Sequence, residues 1–285
     1  MATIAEIIKA KSDDMTRAER QLAETILDNY PIPGLGSITE LADLADVSTP
    51  TVARMVQKLG FAGYPAFQAT LRSELAQMIS NPIEKHEARI SGVPEEHVLN
   101  RYSKASVNNM KATLDQIDAS EFDALVEIVC DATRRIHIAG GRLSGALAHS
   151  LYLHLQMIRP GVTFIPPEAS WPHSVLDVEK GDVLILFDIR RYENSTLLLA
   201  EMAHERGAEI VLFTDQWRSP IQKFAGRTFA ARIAVPSAWD SGLAILLLVE
   251  CLVAAAQETL WESVKSRTDE LETAFDRSRL FRKFT

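Results

Sequence analysis

Residues 181–196 read GDVLILFDIRRYENST. The run from Val183 to Phe187 is apolar at every position and has the length of a strand. A half-buried strand alternates polar with apolar, whereas a strand covered on both faces reads as an unbroken apolar run. Asp188, Arg190, Arg191 and Tyr192 follow, and Glu193, Asn194 and Ser195 lead into the helical pattern TLLLAEMAHERG. This order of strand, polar loop and helix is the repeating unit of a parallel sheet with helices on both faces.

The same unit recurs outward from this stretch. RRIHIAGG (134–141), GVTFIP (161–166), AEIVLFTD (208–215) and a run within RTFAARIAVP (227–236) read as further strands. SGALAHSLYLHLQMI (144–158) reads as a helix between two of them, and WDSGLAILLLVECLVAAAQETLWESV (239–264) as one long helix. Upstream the pattern is helical only. MTRAERQLAETILDNY carries Leu22, Ala23, Ile26 and Leu27 at helical spacing, with Thr16 and Glu19 placed as a capping box. PIPGLG punctuates it, and Ser37 is a second cap, before ITELADLADV. TPTVARMVQKLG closes at Gly60, a helix stop, and PAFQATLRSELAQMI follows. Residues 81–100 are polar and contain Pro82, Gly92 and Pro94, as a linker or strap would. Helices are expected over 99–117 and 119–132. The organisation read from these patterns is an all-α unit over 1–80, a linker over 81–100 and an α/β domain over 101–285.

Composition narrows the function classes. The 285 residues are 47% apolar and carry a formal net charge of −8, which disfavours a broad electrostatic grip on nucleic acid but permits a local basic patch. Cys130 and Cys251 are too few for a disulfide framework or a zinc site and suit a reducing compartment. No signal-like N-terminus is evident, and the apolar run 243–256 is broken by Glu250 and short for a membrane span. The expectation is a cytoplasmic protein with no membrane partner.

ITELADLADV and TPTVARMVQKL have the layout of a helix-turn-helix. Leu41, Ala42, Leu44, Val47, Val52 and Leu59 can lock the helices together, and Ala42 and Ala45 permit close approach. The second helix opens with Ser48, Thr49 and Thr51, and Arg54 and Lys58 follow at helical spacing. Hydroxyls at a helix start followed by cations suit a major groove. Any three-helix bundle shows similar periodicity, and Asp43 and Asp46 weaken the electrostatic case.

The stretch LADLADVSTPTVARMVQKLGFAGYPAFQATLRSEL (41–75) resembles the DNA-binding domain of the RpiR-type bacterial transcriptional regulators. The likeness runs from Met15 to about Leu75, and LGFAGYPAFQATL matches a part of the pattern that generic helix-turn-helix proteins lack. It implies a recognition helix over 48–59, with Thr49, Thr51, Arg54 and Gln57 toward the groove. Ser48, at the start of that helix, belongs to the DNA-binding set with Lys58, and Lys58 and Tyr64 serve backbone contact or packing. The downstream half resembles the SIS domain, the sugar-isomerase-type fold, over about 124–258. The expected fold is thus an all-α helix-turn-helix domain followed by an α/β SIS domain.

Two turns are candidate ligand loops, since ligands of such sheets bind beyond the carboxyl ends of the strands. Gly140 and Gly141 let backbone approach a ligand, ahead of a helix start with free N–H groups, although many such turns hold nothing. In the resembled family this loop is glycine-rich and ends in a phosphate-binding serine. Gly140 and Ser144 match, and Arg142 stands where glycine is typical. The family's second loop, Ser-x-Ser-Gly-x-Thr, cradles a sugar phosphate. Here Asp188, Arg190, Arg191 and Glu193 replace its serines, glycine and threonine. The arginines, with Tyr192 beside them, suit a carboxylate or a phosphate, while Asp188 repels either; the same residues could equally form ion pairs in a solvent-facing loop or a subunit contact. The effector class is therefore a small anionic metabolite, either a sugar phosphate or a carboxylate.

The resulting reading is an operator-binding regulator, a homodimer or homotetramer on double-stranded DNA, tuned by that metabolite. The apolar helix LAILLLVECLVAAA offers core and part of a subunit face. No cofactor, metal or catalytic residue is assigned. The alternatives are a sugar-phosphate isomerase with an accessory helical domain and an interaction protein with a vestigial loop. Glu168, His173, Asp188, Glu193 and His204 are bases by type, but none shows a partner by spacing, and His149 and His154 read as packing or surface. Trp239 and Asp240 could close over a ligand, although capping by Asp240 or Ser241 is equally ordinary.

Overall fold

The structure, a computed structural model, describes residues 2–87, 96–166 and 170–282. The helical unit contains α1 (Ile4–Ala10), α2 (Arg17–Asp28), α3 (Ile38–Leu44), α4 (Thr49–Lys58) and α5 (Tyr64–Ile79). Short helix α6 (Pro82–Glu87) lies within the expected linker, and residues 88–95 of that linker fall outside the described residues. Then come α7 (Val98–Leu114), α8 (Ala119–Cys130), β1 (Ile136–Gly140), α9 (Gly145–Ile158), β2 (Val162–Ile165) and α10 (Trp171–Leu176). The chain continues through β3 (Val183–Asp188), α11 (Asn194–Glu205), β4 (Glu209–Asp215), β5 (Ala225–Ala231), α12 (Leu243–Thr259) and α13 (Trp261–Ser278).

Local chemistry sets the helix starts. Thr16 with Glu19 and Ser37 with Glu40 form complete capping boxes, each satisfying backbone donors reciprocally. Thr3 and Glu6 form a third, at the head of α1. Ser48 caps α4, accepting from the Thr51 amide at 3.3 Å. Gly60 follows α4 with φ of 101°, the left-handed geometry that glycine adopts without penalty. Leu41, Ala42, Val52, Met55 and Val56 bury the faces where α3 meets α4. Removing a side chain such as Met55 from this contact would cost about 2–5 kcal/mol.

The sheet is five-stranded, parallel throughout, and ordered β2-β1-β3-β4-β5. One face packs beneath α8, α9 and α12 through Ile138, Ile185, Phe187 and Phe213. The other face packs beneath α10 and α11 through Leu184, Leu186 and Leu212. Every residue of β3 is buried, as its unbroken apolar run requires. The order places β1 between β2 and β3, so the chain reverses its direction of winding between β1 and β3. Gly140 pairs with Phe187 at the carboxyl end of that junction, and the two candidate loops leave from there.

The structure differs from the sequence reading in the last helical segment. Residues 239–264 are not one helix, because α12 and α13 meet at Leu260 with a bend of 98°. The turn lets α13 fold back on α9, where Arg267 donates to the Gln156 carbonyl at 2.8 Å and 3.0 Å. The core of the helical unit is continuous with the α8–α9–α12 side of the sheet. Glu6 of α1 pairs with Arg232 at 2.5 Å, and Gln116 donates to Glu6 at 2.9 Å. No single helix among the described residues is long and apolar enough to cross a membrane.

Candidate ligand site and nucleic-acid interface

A cavity of about 390 Å³ opens beyond the β1–β3 junction. Arg142, Ser144, Asp188, Arg190, Arg191 and Glu193 line it from the two loops. Trp239, Asp240 and Gly242 line it from the approach to α12, and Pro82 lines it from the strap behind the helical unit. Apolar walls come from Leu143, Leu147, Ile189 and the ring of Trp239, which is 60% exposed.

The loop residues divide by what they already hold. Ser144 donates its hydroxyl to the Phe187 carbonyl at 2.6 Å and accepts the Gly141 amide at 2.9 Å, so it joins β1 to β3. Gly140 must lack a side chain, since a Cβ there would come within 2.8 Å of the Gly145 nitrogen. The Glu193 carboxylate accepts the Arg142 amide at 2.7 Å, across the mouth of the first loop. Arg142 and Arg191 are exposed at the rim, and Arg191 sits in the left-handed region with φ of 63°.

Arg190 points elsewhere than a ligand-binding arginine would. Its side chain is only 4% exposed. It donates to the carbonyls of Gln77 and Ser80, at the end of α5, at 2.8 Å and 3.1 Å. Its Nε lies 3.2 Å from Asp240 Oδ2, a charge contact without hydrogen-bond alignment. The other Asp240 oxygen holds Lys85 of α6 at 2.5 Å. The arginine is therefore a clamp between the sheet loop and the helical unit. Tyr192 likewise turns away from the cavity, donating its hydroxyl to Asp215 at 2.8 Å.

Two buried carboxyls underlie the loops. Burial pushes the Asp188 carboxyl up to about 7, opposed by bonds from the Ser219 hydroxyl and the Glu193 amide. Burial pushes Asp215 up to about 6, opposed by the Arg190 amide at 2.6 Å, the Tyr192 hydroxyl and the Trp217 amide. Asp215 escaped the sequence reading, although its place at the end of AEIVLFTD marks it by the same carboxyl-end rule that singled out Asp188. Pro82 and Lys85 escaped because nothing in a polar linker tells which loop it crosses. His173 and His204 lie off the cavity, while Glu168 is outside the described residues. No cluster of three or more potential metal ligands occurs among the described residues.

On α4 the exposed face carries Ser48, Arg54 and Gln57, with Thr49 and Thr51 half-buried beside them. Ser48 and Thr51 share a hydroxyl contact at 2.8 Å, and Arg54 reaches back to Thr51 at 3.4 Å. Lys58 is held on the bundle instead of extending outward, paired with Glu19 at 2.9 Å and donating to the Asp14 carbonyl.

Residues 2–78 match the helix-turn-helix domain of the rpiR family, and residues 131–255 match the SIS domain. The chain carries the domain pair of the RpiR-type regulators. It is a transcriptional regulator in architecture, with a helix-turn-helix domain ahead of an SIS domain. The HTH-type transcriptional regulator HexR of Pseudomonas aeruginosa is 26% identical over 224 residues, covering 75% of this chain and 74% of its own length. HexR of Escherichia coli is 25% identical over 257 residues, covering 87% of this chain and 85% of its own length. The fold matches that of Vibrio vulnificus NanR, solved in complex with ManNAc-6P, with a TM-score of 0.56 at 21% identity over 98% of this chain and 100% of that one. The second loop of this chain is acidic and arginine-rich, with Asp188, Arg190, Arg191 and Glu193.

Proposed function

We propose that the chain reads a double-stranded DNA operator through α4 and that a small anionic metabolite in the cavity modulates its operator affinity. The supporting observation is the shared wall of that cavity. Pro82 comes from the strap that continues the DNA-reading unit, while Arg190 and Asp240 grip Gln77, Ser80 and Lys85 from the sheet side. A ligand that binds the two arrangements of this junction unequally shifts the orientation of the reading unit. Arg142 and Arg191 at the rim meet the ligand's acid group, a carboxylate or a phosphate, and Trp239 covers its body. NanR, which shares the fold, was solved with a sugar phosphate, and this supports a small anionic ligand for the present chain.

In this reading residues 1–80 bind DNA, 81–100 form the strap and 101–285 sense the metabolite. Ser48, Thr49, Thr51, Arg54 and Gln57 face the groove. Two heads are needed to read two half-sites, so the working form is a homodimer or homotetramer. No catalytic step is assigned. Asp188 is bonded to Ser219 and Glu193 to the Arg142 amide, so both carboxylates hold loops instead of standing beside a substrate carbon.

Selection of bound DNA from a random pool, followed by titration of the selected site against phosphorylated sugars and small carboxylates, tests the proposal. A selected half-site motif whose affinity shifts with one such compound is the expected result. Recovery of unselective DNA alone rejects it.

A further inference from the structure

The turn between β1 and α9 holds an anionic side chain. Glu193 Oε1 lies 2.7 Å from the Arg142 amide nitrogen. A Cβ on Gly141 would come within 2.8 Å of that same oxygen, so the glycine is what lets the carboxylate sit so close. Glu193 is also the N-cap of α11, and its side chain makes no capping bond there. It reaches across to the other helix start instead. Its charge therefore lies near the amino ends of both α9 and α11, where aligned peptide dipoles favour an anion. Ser144 completes the arrangement without being free for a ligand, since its hydroxyl joins the Gly141 amide to the Phe187 carbonyl.

We infer that Glu193 is the specificity-determining residue of the cavity: its carboxylate occupies the anion seat of the Gly140–Ser144 turn and excludes a ligand phosphate from it. The inference rests on the cavity being the ligand site. It narrows the metabolite class to compounds whose acid group binds at the Arg142 and Arg191 rim and not on the turn amides. A phosphate entering the turn meets a fixed negative charge and an amide whose bond is already made. Replacing Glu193 by a short hydroxyl residue removes the charge and frees the amide together.

Calorimetric titration of the full chain with inorganic phosphate at neutral pH tests this. The wild-type chain should show no saturable uptake into the turn. Glu193→Thr should take up phosphate at least about tenfold more tightly, the scale of one charge-assisted hydrogen bond. Glu193→Gln keeps the size and the contact with the Arg142 amide, and it guards against misfolding of the threonine variant. It too should bind phosphate better than wild type, because it removes the repulsion. Equal phosphate affinity in wild type and both folded variants overturns the inference. So does tight phosphate binding by wild type that perturbs the Arg142 amide resonance, since the carboxylate would then be a displaceable lid. The titration contains no DNA, so its failure leaves the operator-binding proposal standing, and failure of operator binding leaves its result intact.

Discussion

Arg190 and Asp240 meet with Nε 3.2 Å from Oδ2, inside a junction where Asp240 also holds Lys85. One carboxylate thereby touches a cation from the sheet loop and a cation from the strap. With both remaining Arg190 nitrogens on carbonyls of Gln77 and Ser80, the end of α5 is tied to the cavity wall at several points. Exposed ion pairs contribute little, but this arginine side chain is nearly enclosed, and its loss removes both hydrogen bonds to the end of α5.

Arg190→Ala should therefore loosen the junction without emptying the cavity. In the ligand-free full chain, amide hydrogen exchange across residues 77–87 should quicken by about tenfold or more, since local opening sets that rate. Arg191→Ala, at the exposed rim, should leave those amides unchanged. Unaltered exchange in Arg190→Ala would remove the clamp from the account of signalling.

On α4, Arg54 and Lys58 should separate by assay. Arg54→Ala should weaken binding to the selected operator by about 1–3 kcal/mol at fixed salt while leaving the melting temperature in place. Lys58→Ala should do the reverse, lowering stability by roughly 0.5–1 kcal/mol through loss of the Glu19 pair and changing operator affinity less. Fluorescence anisotropy and thermal unfolding of both variants decide it.

Asp188 gives the fold a pH dependence of known sign. Its folded carboxyl titrates at about 7, above the ordinary value of 3.8. The contribution is fully present below the ordinary value, where both states are protonated, and is lost as pH rises through about 7. A shift of this size corresponds to an upper limit on the order of 4 kcal/mol. Asp188→Asn keeps an acceptor for Ser219 and removes the titration. Urea unfolding from pH 4 to pH 8 should therefore show wild type falling relative to Asp188→Asn. Parallel curves would mean that Asp188 ionises elsewhere.

Two glycines should respond to alanine for different reasons. Gly140→Ala drives a Cβ to 2.8 Å from the Gly145 nitrogen, a backbone atom that cannot swing aside. Overpacking of this kind costs about 1–3 kcal/mol and should distort the first loop. A Cβ on Gly60 meets nothing within 4 Å, and only its positive φ resists the change, at about 1 kcal/mol. Chemical denaturation should rank the variants in that order.

Much of the helical unit is legible locally. Thr16 with Glu19, Ser37 with Glu40, and Gly60 act within one turn of their own helices, so spacing alone reveals them. Val183–Phe187 announces a strand covered on both faces, because helices pack on each side of a parallel sheet and bury such a run. The 239–264 segment misled for a related reason. Its periodicity continues through Leu260, and the bend depends on α9 receiving α13.

Sequence alone determined the helix-turn-helix, the parallel sheet and the pair of loops beyond β1 and β3, since these follow from hydrophobic period, caps and breakers acting over a few residues. Tertiary structure alone decided what the charged loop residues do. Arg190 faces the end of α5, 110 and 113 positions away in the chain, and Glu193 faces an amide 51 positions away. A side chain's charge is written at its own position, but its partner is chosen by how distant segments pack.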